Sequence, residues 1–353
     1  MTETTPIGLL PPEPVTRFEG WRSFVNRPAL VRPIVPTPAE WESMSKAARA
    51  ESKADRIRWH GRLPLTKTST LVDIIRDTIQ MASLNYGAVA GVRPGFVLDG
   101  LPTVGKSTIL MELGRQYEIS VRKKFNLGPL DNAGLDIFLP VLYITLTGTI
   151  AVKPFNRLLM DFYGIPLPKS TDESEMTARI VETARRCGTT LILIDDFHFL
   201  RMTNRSAQVV NNHVKSLASS ISATFGYAGI DLAHSGLLAE GNSEARRELS
   251  QTDHRFVWYG IRPYGVEHPD FEMILRGLGR SLCLVNSGPD DLVKIRKYVH
   301  ARTNGFMGAI SMLMRKGANL AIRDGSERIT QKLLERVRLD HAAESHRLVA
   351  SRR

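Results

Sequence analysis

The sequence predicts a three-layer α/β sandwich with a parallel sheet, followed by a small all-α lid domain. Short apolar segments alternate with helical segments between residues 96 and 265, the order that builds a parallel sheet covered by helices. The third apolar segment, TTLILIDDF, lacks polar alternation, as expected of a strand buried on both faces. After residue 266 the apolar residues recur only at helical spacing.

The individual strands and helices of the α/β region follow from these apolar segments. Each predicted strand is a short apolar stretch, and the stretches between strands have apolar residues at helical spacing. We predict strands at residues 96–100, 139–146, 189–197, 227–235 and 256–264, and helices at 107–117, 153–162 and 206–223.

Composition divides the chain into five predicted segments. The first 40 residues hold 8 of the 19 prolines, which indicates an extended or disordered arm. The residues that follow are rich in Ala, Glu, Lys and Arg, which favour helices. The segments are the Pro-rich arm (1–40), an N-terminal helical segment (41–90), the α/β core (91–265), the helical lid (266–325) and a basic C-terminal helix or tail (326–353).

Charge is the most informative bulk property of the chain. The net charge is +11, and residues 294–353 alone hold 14 Lys/Arg against 5 Asp/Glu. A concentrated basic surface attracts nucleic acid by releasing counterions, although basic faces also serve solubility. No apolar run approaches the roughly 20 residues of a membrane span, and the first residues lack the pattern of a signal peptide. We therefore expect a cytoplasmic protein without a membrane partner, whose two cysteines are reduced.

Residues 100–107, GLPTVGKS, match the phosphate-binding P-loop pattern G-x-x-x-x-G-K-[ST]. The pattern follows an apolar strand and opens a helix, which favours ATP binding over an incidental glycine turn. Lys106 is expected to contact the β- and γ-phosphates, and the hydroxyl of Ser107 to bind Mg²⁺. The predicted nucleotide-binding residues are Gly100, Pro102, Thr103, Val104, Gly105, Lys106, Ser107 and Thr108.

Asp195 and Asp196 follow the aliphatic strand LILI. A nucleotide site needs a carboxylate at the end of a strand near the P-loop, and this pair supplies one. We expect Asp195 to hold the Mg²⁺ shell through water and Asp196 to act as the general base for the attacking water. The alternative is that two acidic residues simply end a strand, which is an unusual surface feature after four buried aliphatic residues.

The segment LILIDDFHFL resembles the Walker B region of AAA+ ATPases of the TniB/TnsC type, transposition regulators related to the phage Mu B protein. The strand VLYITL, the segment GIDLAHSGLLAE, an HRF segment and a helical lid also follow the family's order, over residues 56–325. The resemblance implies an AAA+ ATPase that oligomerises on duplex DNA, without sequence preference, as a ring or filament. It also implies that the protein selects target DNA and recruits or activates a transposase, with a target-selection protein as a further partner.

The resemblance also implies roles for residues outside the two motifs. Ser235, or His234 beside it, occupies the place of sensor 1, which contacts the γ-phosphate and the water. Arg255 resembles the arginine that AAA+ proteins offer to the nucleotide of a neighbouring subunit. Arg246 and Arg247 are alternatives for that arginine, and a solvated surface position is an alternative for all three.

Three positions can also be compared with the pattern of this family. The family usually has glutamate where this chain has Asp196, and the shorter side chain implies slow turnover or an ATP-bound switch. His198 matches the histidine after Walker B, with packing as the alternative role. Arg315 is the candidate for the sensor 2 arginine of the lid, although it lies later in the helix than the family pattern requires.

DNA contacts in this family fall on loops that face a central pore. The loop after the second strand places Thr147, Thr149 and Lys153 as expected phosphate contacts, which would position the protein without reading base sequence. The basic cluster at residues 122–124 is a second candidate. Solvated lysines are the alternative for both.

Two other classes of P-loop protein compete with this interpretation. One is a signalling switch of the NACHT or STAND kind that does not bind DNA, although the long repeat domains that accompany such switches are absent from this sequence. The other is a small-molecule kinase, which the paired aspartates and the position of the lid disfavour.

Overall fold

The computed structural model of the chain describes residues 13–86, 93–127, 137–148, 151–197, 205–232 and 255–350. The chain forms two compact units. The first, here called the sheet unit, consists of Met1–Arg27, Ile74–Gly100 and Lys106–Ile261. The second, here called the helical unit, consists of Pro28–Asp73, Leu101–Gly105 and Arg262–Arg353.

The described residues form strands only in the sheet unit, while helices occur in both units. The strands are β1 (Gly95–Gly100), β2 (Val141–Thr145), β3 (Leu191–Asp195), β4 (Thr224–Gly229) and β5 (Phe256–Ile261). The first eight helices are α1 (Phe18–Val25), α2 (Pro38–Ser43), α3 (Lys46–His60), α4 (Ser69–Tyr86), α5 (Lys106–Lys124), α6 (Val152–Phe162), α7 (Glu173–Arg186) and α8 (Arg205–Ile221). The remaining helices are α9 (Pro269–Ser281), α10 (Asp291–Lys294), α11 (Arg296–Thr303), α12 (Met307–Asp324), α13 (Gln331–Glu335) and α14 (His341–Ala350).

The described strands make one parallel sheet in the order β2-β3-β4-β1-β5. All five residues of β3 are buried. Because successive side chains of a strand point to opposite faces, both faces of the sheet are covered at β3. Helix α5 packs on β1, β2, β3 and β4, and α6 packs on β2. The predicted parallel sheet with flanking helices is confirmed.

The fourth strand lies earlier in the chain than the predicted strand at 227–235. It forms over Thr224–Gly229 and includes a glycine in its interior. A Cβ atom at Gly226 would lie 2.1 Å from the ring of Phe96 on the neighbouring strand. The glycine therefore admits an aromatic ring on the sheet surface, whereas glycine in a sequence pattern usually suggests a bend or a bulge.

Helix α1 lies within the segment predicted to be an extended or disordered arm. Its Trp21 is completely buried, and the indole N–H donates to Oε2 of Glu118 on α5 over 2.7 Å. A helix of eight residues is marginal in isolation, so this packing, which links distant parts of the chain, is what stabilises α1.

The helical unit has its own apolar core, which includes the buried residues Phe271, Leu275, Ile310, Leu313 and Ile322. These side chains come from α9 and α12. Helix α3 also packs on α12. The sequence predicted α3 as part of a separate N-terminal segment, but the structure groups it with the C-terminal helices. No helix in the described ranges has both the length and the apolar character needed to cross a membrane.

Two polar contacts join the early and late segments of the helical unit. Arg56 and Glu327 form a bidentate ion pair, with N–O distances of 2.5 and 3.0 Å, and both side chains are buried. Asp270 accepts hydrogen bonds from the backbone N–H groups of Ser69 and Thr70, each at 3.1 Å, at the start of α4. Burial alone would raise the pKa of Asp270, but these bonds and those from the two hydroxyls lower it.

Candidate functional site

The lysine of the phosphate-binding pattern is the first residue of α5, directly after the loop that leaves β1. Lys106 is only 7% exposed. Its ammonium group donates to the carbonyl oxygen of Gly100 over 2.9 Å. Burial lowers the pKa of Lys106, although the negative charges of three aspartates oppose that shift. These are Asp195, Asp196 and Asp99. The ammonium group of Lys106 is thus buried and lies near three carboxylates. A bound phosphate would be a further negatively charged partner for this ammonium group.

The loop before Lys106 has two residues with positive φ. Gly105 has φ +106° and Thr103 has φ +61°. The first value suits glycine, while the second is uncommon for a β-branched residue and costs about 1–2 kcal/mol. In the helical unit, the N–H of Gly308 donates to the carbonyl oxygen of Thr103 over 2.9 Å. A Cβ atom at position 308 would lie 3.0 Å from the Cβ of Thr103, so a glycine permits this close contact.

The other predicted nucleotide-binding residues differ in exposure. Ser107 is half-buried and Thr108 is exposed, both in the first turn of α5. In the loop, Pro102 is exposed and Val104 is 3% exposed. The hydroxyls of Ser107 and Thr108 are therefore at least partly accessible to a ligand, whereas the side chain of Val104 is buried.

The Walker B aspartate ends β3 and is 3% exposed. Oδ2 of Asp195 accepts a hydrogen bond from the hydroxyl of Tyr143 over 2.8 Å. Oδ1 accepts one from the backbone N–H of Asp196 over 2.9 Å. Burial, followed by the negative charge of Asp195, raises the pKa of Tyr143 above its usual range, so the phenol remains a donor. Both carboxylate oxygens are therefore held in place by the protein.

Asp196 is half-buried and adopts the left-handed conformation, with φ +54°. Aspartate tolerates this region better than most residues. Asp195 is the last residue of the buried strand, and Asp196 directly after it has a left-handed backbone conformation. The two neighbouring aspartates therefore differ in backbone conformation. Such strained positions often occur at functional sites, where the surrounding structure maintains them.

Two residues of this region were missed by the sequence reasoning. Asp99, the last residue before Gly100, accepts a hydrogen bond from the N–H of Leu232 over 3.0 Å and lies close enough to Lys106 to affect its pKa. An acidic residue at the end of an apolar strand was a visible signal. Tyr143 gave no such signal, because it lies inside the apolar segment LPVLYITL.

The candidate DNA contacts are only partly described. Thr147 is exposed, and Lys153 is partly exposed in the first turn of α6. Thr149 lies outside the described residues. In the second cluster, Arg122 is buried and donates to Glu118 and to the carbonyl oxygen of Phe138. Its charge is therefore used inside the sheet unit, which leaves the two exposed lysines of that cluster, at positions 123 and 124, as candidates.

Of the other residues implied by the resemblance, the structure describes two arginines. Arg255 is half-buried at the start of β5, and its carbonyl oxygen accepts from the N–H of Gly95 over 2.9 Å. In the helical unit, Arg315 donates to the carbonyl oxygens of His60 and Gly61. That engagement fixes Arg315 on the chain segment that ends α3. Ser235, His234, Arg246, Arg247 and His198 lie outside the described residues.

Residues 75–252, about half of the chain, match the model of a protein family described as bacterial TniB protein. The matched region includes the phosphate-binding pattern, Tyr143 and the aspartate pair. No curated protein sequence matches the chain.

Solved structures share the fold at low sequence identity. The ORC1 protein of Aeropyrum pernix in complex with DNA is 16% identical, with a TM-score of 0.54, over 80% of this chain and 66% of that one. The ORC2 protein of the same organism, in its ADPNP-ADP complexes, is 13% identical, with a TM-score of 0.55, over 83% of this chain and 72% of that one. This chain thus spans about two thirds of the ORC1 chain. These similarities confirm the predicted P-loop AAA+ fold.

Proposed function

Since the chain belongs to the TniB family of bacterial proteins, we propose that it is an ATP-dependent AAA+ regulator of transposition that binds duplex DNA. In this proposal the subunits assemble on DNA as a ring or filament when ATP is bound. The assembly marks target DNA and recruits or activates a transposase, and a target-selection protein is a further partner. ATP hydrolysis then releases the subunits from the DNA.

The observation that supports this proposal most directly is that the sheet unit holds two buried, oppositely charged side chains, one of which affects the pKa of the other. Lys106 and Asp195 are both almost completely buried, at the start of α5 and the end of β3. Buried charges are costly unless they are paired or bind a ligand. An ammonium group and a carboxylate beyond the ends of parallel strands are the charges that a triphosphate with a divalent cation requires.

The donor set also fits Mg²⁺. Asp195 offers carboxylate oxygens and Ser107 a hydroxyl oxygen, and Mg²⁺ prefers oxygen ligands together with phosphate and water. Asp195 and Ser107 would hold the ion, which would supply positive charge against the negative charge that develops during hydrolysis. The loop from Gly100 to Thr108 supplies the backbone N–H groups for the phosphates in this proposal.

The proposal also assigns residues to hydrolysis. Asp196 is the proposed general base, and we expect its short side chain to make turnover slow or to leave the protein mainly as an ATP-bound switch. Arg255 is the proposed arginine for the nucleotide of a neighbouring subunit, where it would make hydrolysis depend on assembly. Ser235 or His234 is the proposed sensor of the γ-phosphate.

The proposed DNA contacts are Lys153, Thr147 and Thr149, which would bind phosphates without reading bases. The net charge of +11 supports binding to a polyanion. The presence of DNA in the Aeropyrum pernix ORC1 structure agrees with a DNA-associated role for the shared fold.

The proposal is tested with Lys106→Ala and the control variant Lys169→Ala, which removes an exposed lysine of the same unit. Loss of a charged phosphate contact is expected to weaken ATP binding about 10- to 100-fold. Electron microscopy and sedimentation with ATP and duplex DNA should show assemblies for the wild type and the control variant only.

Two results would contradict the proposal. A wild-type protein that remained monomeric with ATP and DNA would rule out assembly on DNA. A protein that bound ATP but no nucleic acid at low salt would favour a NACHT- or STAND-like switch instead.

A further inference from the structure

Tyr143 contacts the Walker B carboxylate from the neighbouring strand. In the parallel pairing of β2 and β3, Tyr143 lies opposite Leu193, and Thr145 lies opposite Asp195. Tyr143 and Asp195 are therefore diagonal neighbours on one face of the sheet, within reach of a long side chain. The hydroxyl of Tyr143 donates a hydrogen bond to Oδ2 of Asp195 over 2.8 Å.

The contact leaves the carboxylate able to bind a ligand. Each oxygen of Asp195 accepts one hydrogen bond, from the Tyr143 hydroxyl or from the Asp196 N–H. An ionised carboxylate has about four lone-pair sites. The two bonds thus fix the rotation of the carboxylate while each oxygen retains capacity for a metal-bound water.

Tyr143 is itself held by α1. The ring of Trp21 stacks on the ring of Tyr143 with centroids 5.9 Å apart and an interplanar angle of 13°. The indole is fixed by its hydrogen bond to Glu118. A Cβ atom at Gly114 would lie 2.8 Å from Cη2 of Trp21, so glycine at this position leaves the space that the indole occupies.

From this chain of contacts we propose that Tyr143 is a positioning residue that orients the Asp195 carboxylate for the Mg²⁺ shell, with Trp21 as its support. The inference rests on the proposed function, because it assigns Asp195 to the Mg²⁺ of a bound nucleotide. It adds a residue of β2 that belongs to neither motif. A tyrosine buried only for packing would affect stability and leave the requirement for Mg²⁺ unchanged.

The test compares Tyr143→Phe with Tyr163→Phe. Tyr163 is a buried tyrosine of the sheet unit whose hydroxyl is hydrogen-bonded to Thr189 over 2.8 Å, so both variants lose one buried hydroxyl. Binding of a fluorescent ATP analogue is titrated with Mg²⁺ and is measured separately in EDTA. Loss of a residue that supports a metal ligand typically weakens metal affinity about 10- to 100-fold.

The expected result is an increase of about tenfold or more in the half-saturating Mg²⁺ concentration for Tyr143→Phe. Its affinity in EDTA, and all values for Tyr163→Phe, should match the wild type. Unfolding temperatures of both variants define a temperature at which each is folded, and the titrations are made there. No shift for Tyr143→Phe, or equal shifts in both variants, would overturn the inference. A wild-type protein that bound no nucleotide would instead reject the proposed function itself.

Discussion

Asp196 combines a demanding backbone conformation with a proposed role in catalysis. Its φ of +54° directly follows the buried end of β3. Asparagine tolerates this conformation as well as aspartate does, whereas most other residues are strained there. The charge and the backbone requirement at this position can therefore be separated by substitution.

We expect Asp196→Asn to lower the rate of ATP hydrolysis about 10²- to 10⁴-fold, because a general base is lost. ATP affinity and the free energy of unfolding should change little, since the backbone conformation is kept. Steady-state hydrolysis and urea unfolding measure both quantities. Asp161→Asn, which removes an exposed carboxylate of the same unit, serves as the control. Hydrolysis at the wild-type rate by Asp196→Asn would exclude Asp196 as the base.

At the scale of residues, the local sequence pattern predicted the charged residues Lys106 and Asp195 but not the side chains that contact them. Asp195 could be predicted at the end of a strand because it directly follows four aliphatic residues, and Lys106 at the start of a helix because it belongs to the phosphate-binding pattern. The hydrogen bond from Tyr143 to Asp195 depends on which strands are adjacent and on their register. Neither is encoded in the few residues around Tyr143, so this contact could not be predicted locally.

At the scale of elements, α1 shows how tertiary contacts override local composition. The prolines around it predicted an extended arm, yet Phe18–Val25 is helical and places Trp21 in a fully buried position. The partner of Trp21 is Glu118, 97 positions away in the chain. A pattern search within one window cannot detect such a pair.

Trp21→Ala is expected to lower the free energy of unfolding of the sheet unit by about 3–5 kcal/mol, because a large buried ring is replaced by a cavity. Urea unfolding followed by circular dichroism measures the change. Trp41→Ala, at a half-buried position of α2, should have a smaller effect. A loss below about 1 kcal/mol, the median effect of ordinary substitutions, would show that α1 contributes little to the unit.

At the scale of the whole molecule, distant segments share one core in the helical unit. His60, at the end of α3, is completely buried. Its Nε2 accepts from the N–H of Cys283 over 2.9 Å, and its Nδ1 lies 3.3 Å from Oδ1 of Asn319. Both contacts suit a neutral imidazole that carries its proton on Nδ1. Burial lowers the pKa of His60 from 6.5 to about 4.

This pKa predicts acid sensitivity of the helical unit. Below pH 6.5 the unfolded chain binds the proton first, so the contribution of His60 to stability falls between pH 6.5 and pH 4. We expect the free energy of unfolding to fall between pH 7 and pH 5 by about 2 kcal/mol more in the wild type than in His60→Gln. Urea unfolding at the two pH values measures this difference. Equal losses of stability in both proteins would mean that His60 binds a proton as readily in the folded unit as in the unfolded chain, which would contradict the prediction.

The ion pair between Arg56 and Glu327 has a consequence for synthesis on the ribosome. Translation adds about 5–20 residues per second, so Arg56 leaves the exit tunnel on the order of 10–50 s before its partner is made. Throughout that interval the nascent segment exposes the guanidinium group of Arg56 and apolar side chains that are buried in the folded helical unit. The amino-terminal part of the helical unit is thus the stretch of the growing polypeptide on which chaperones would have the longest time to act.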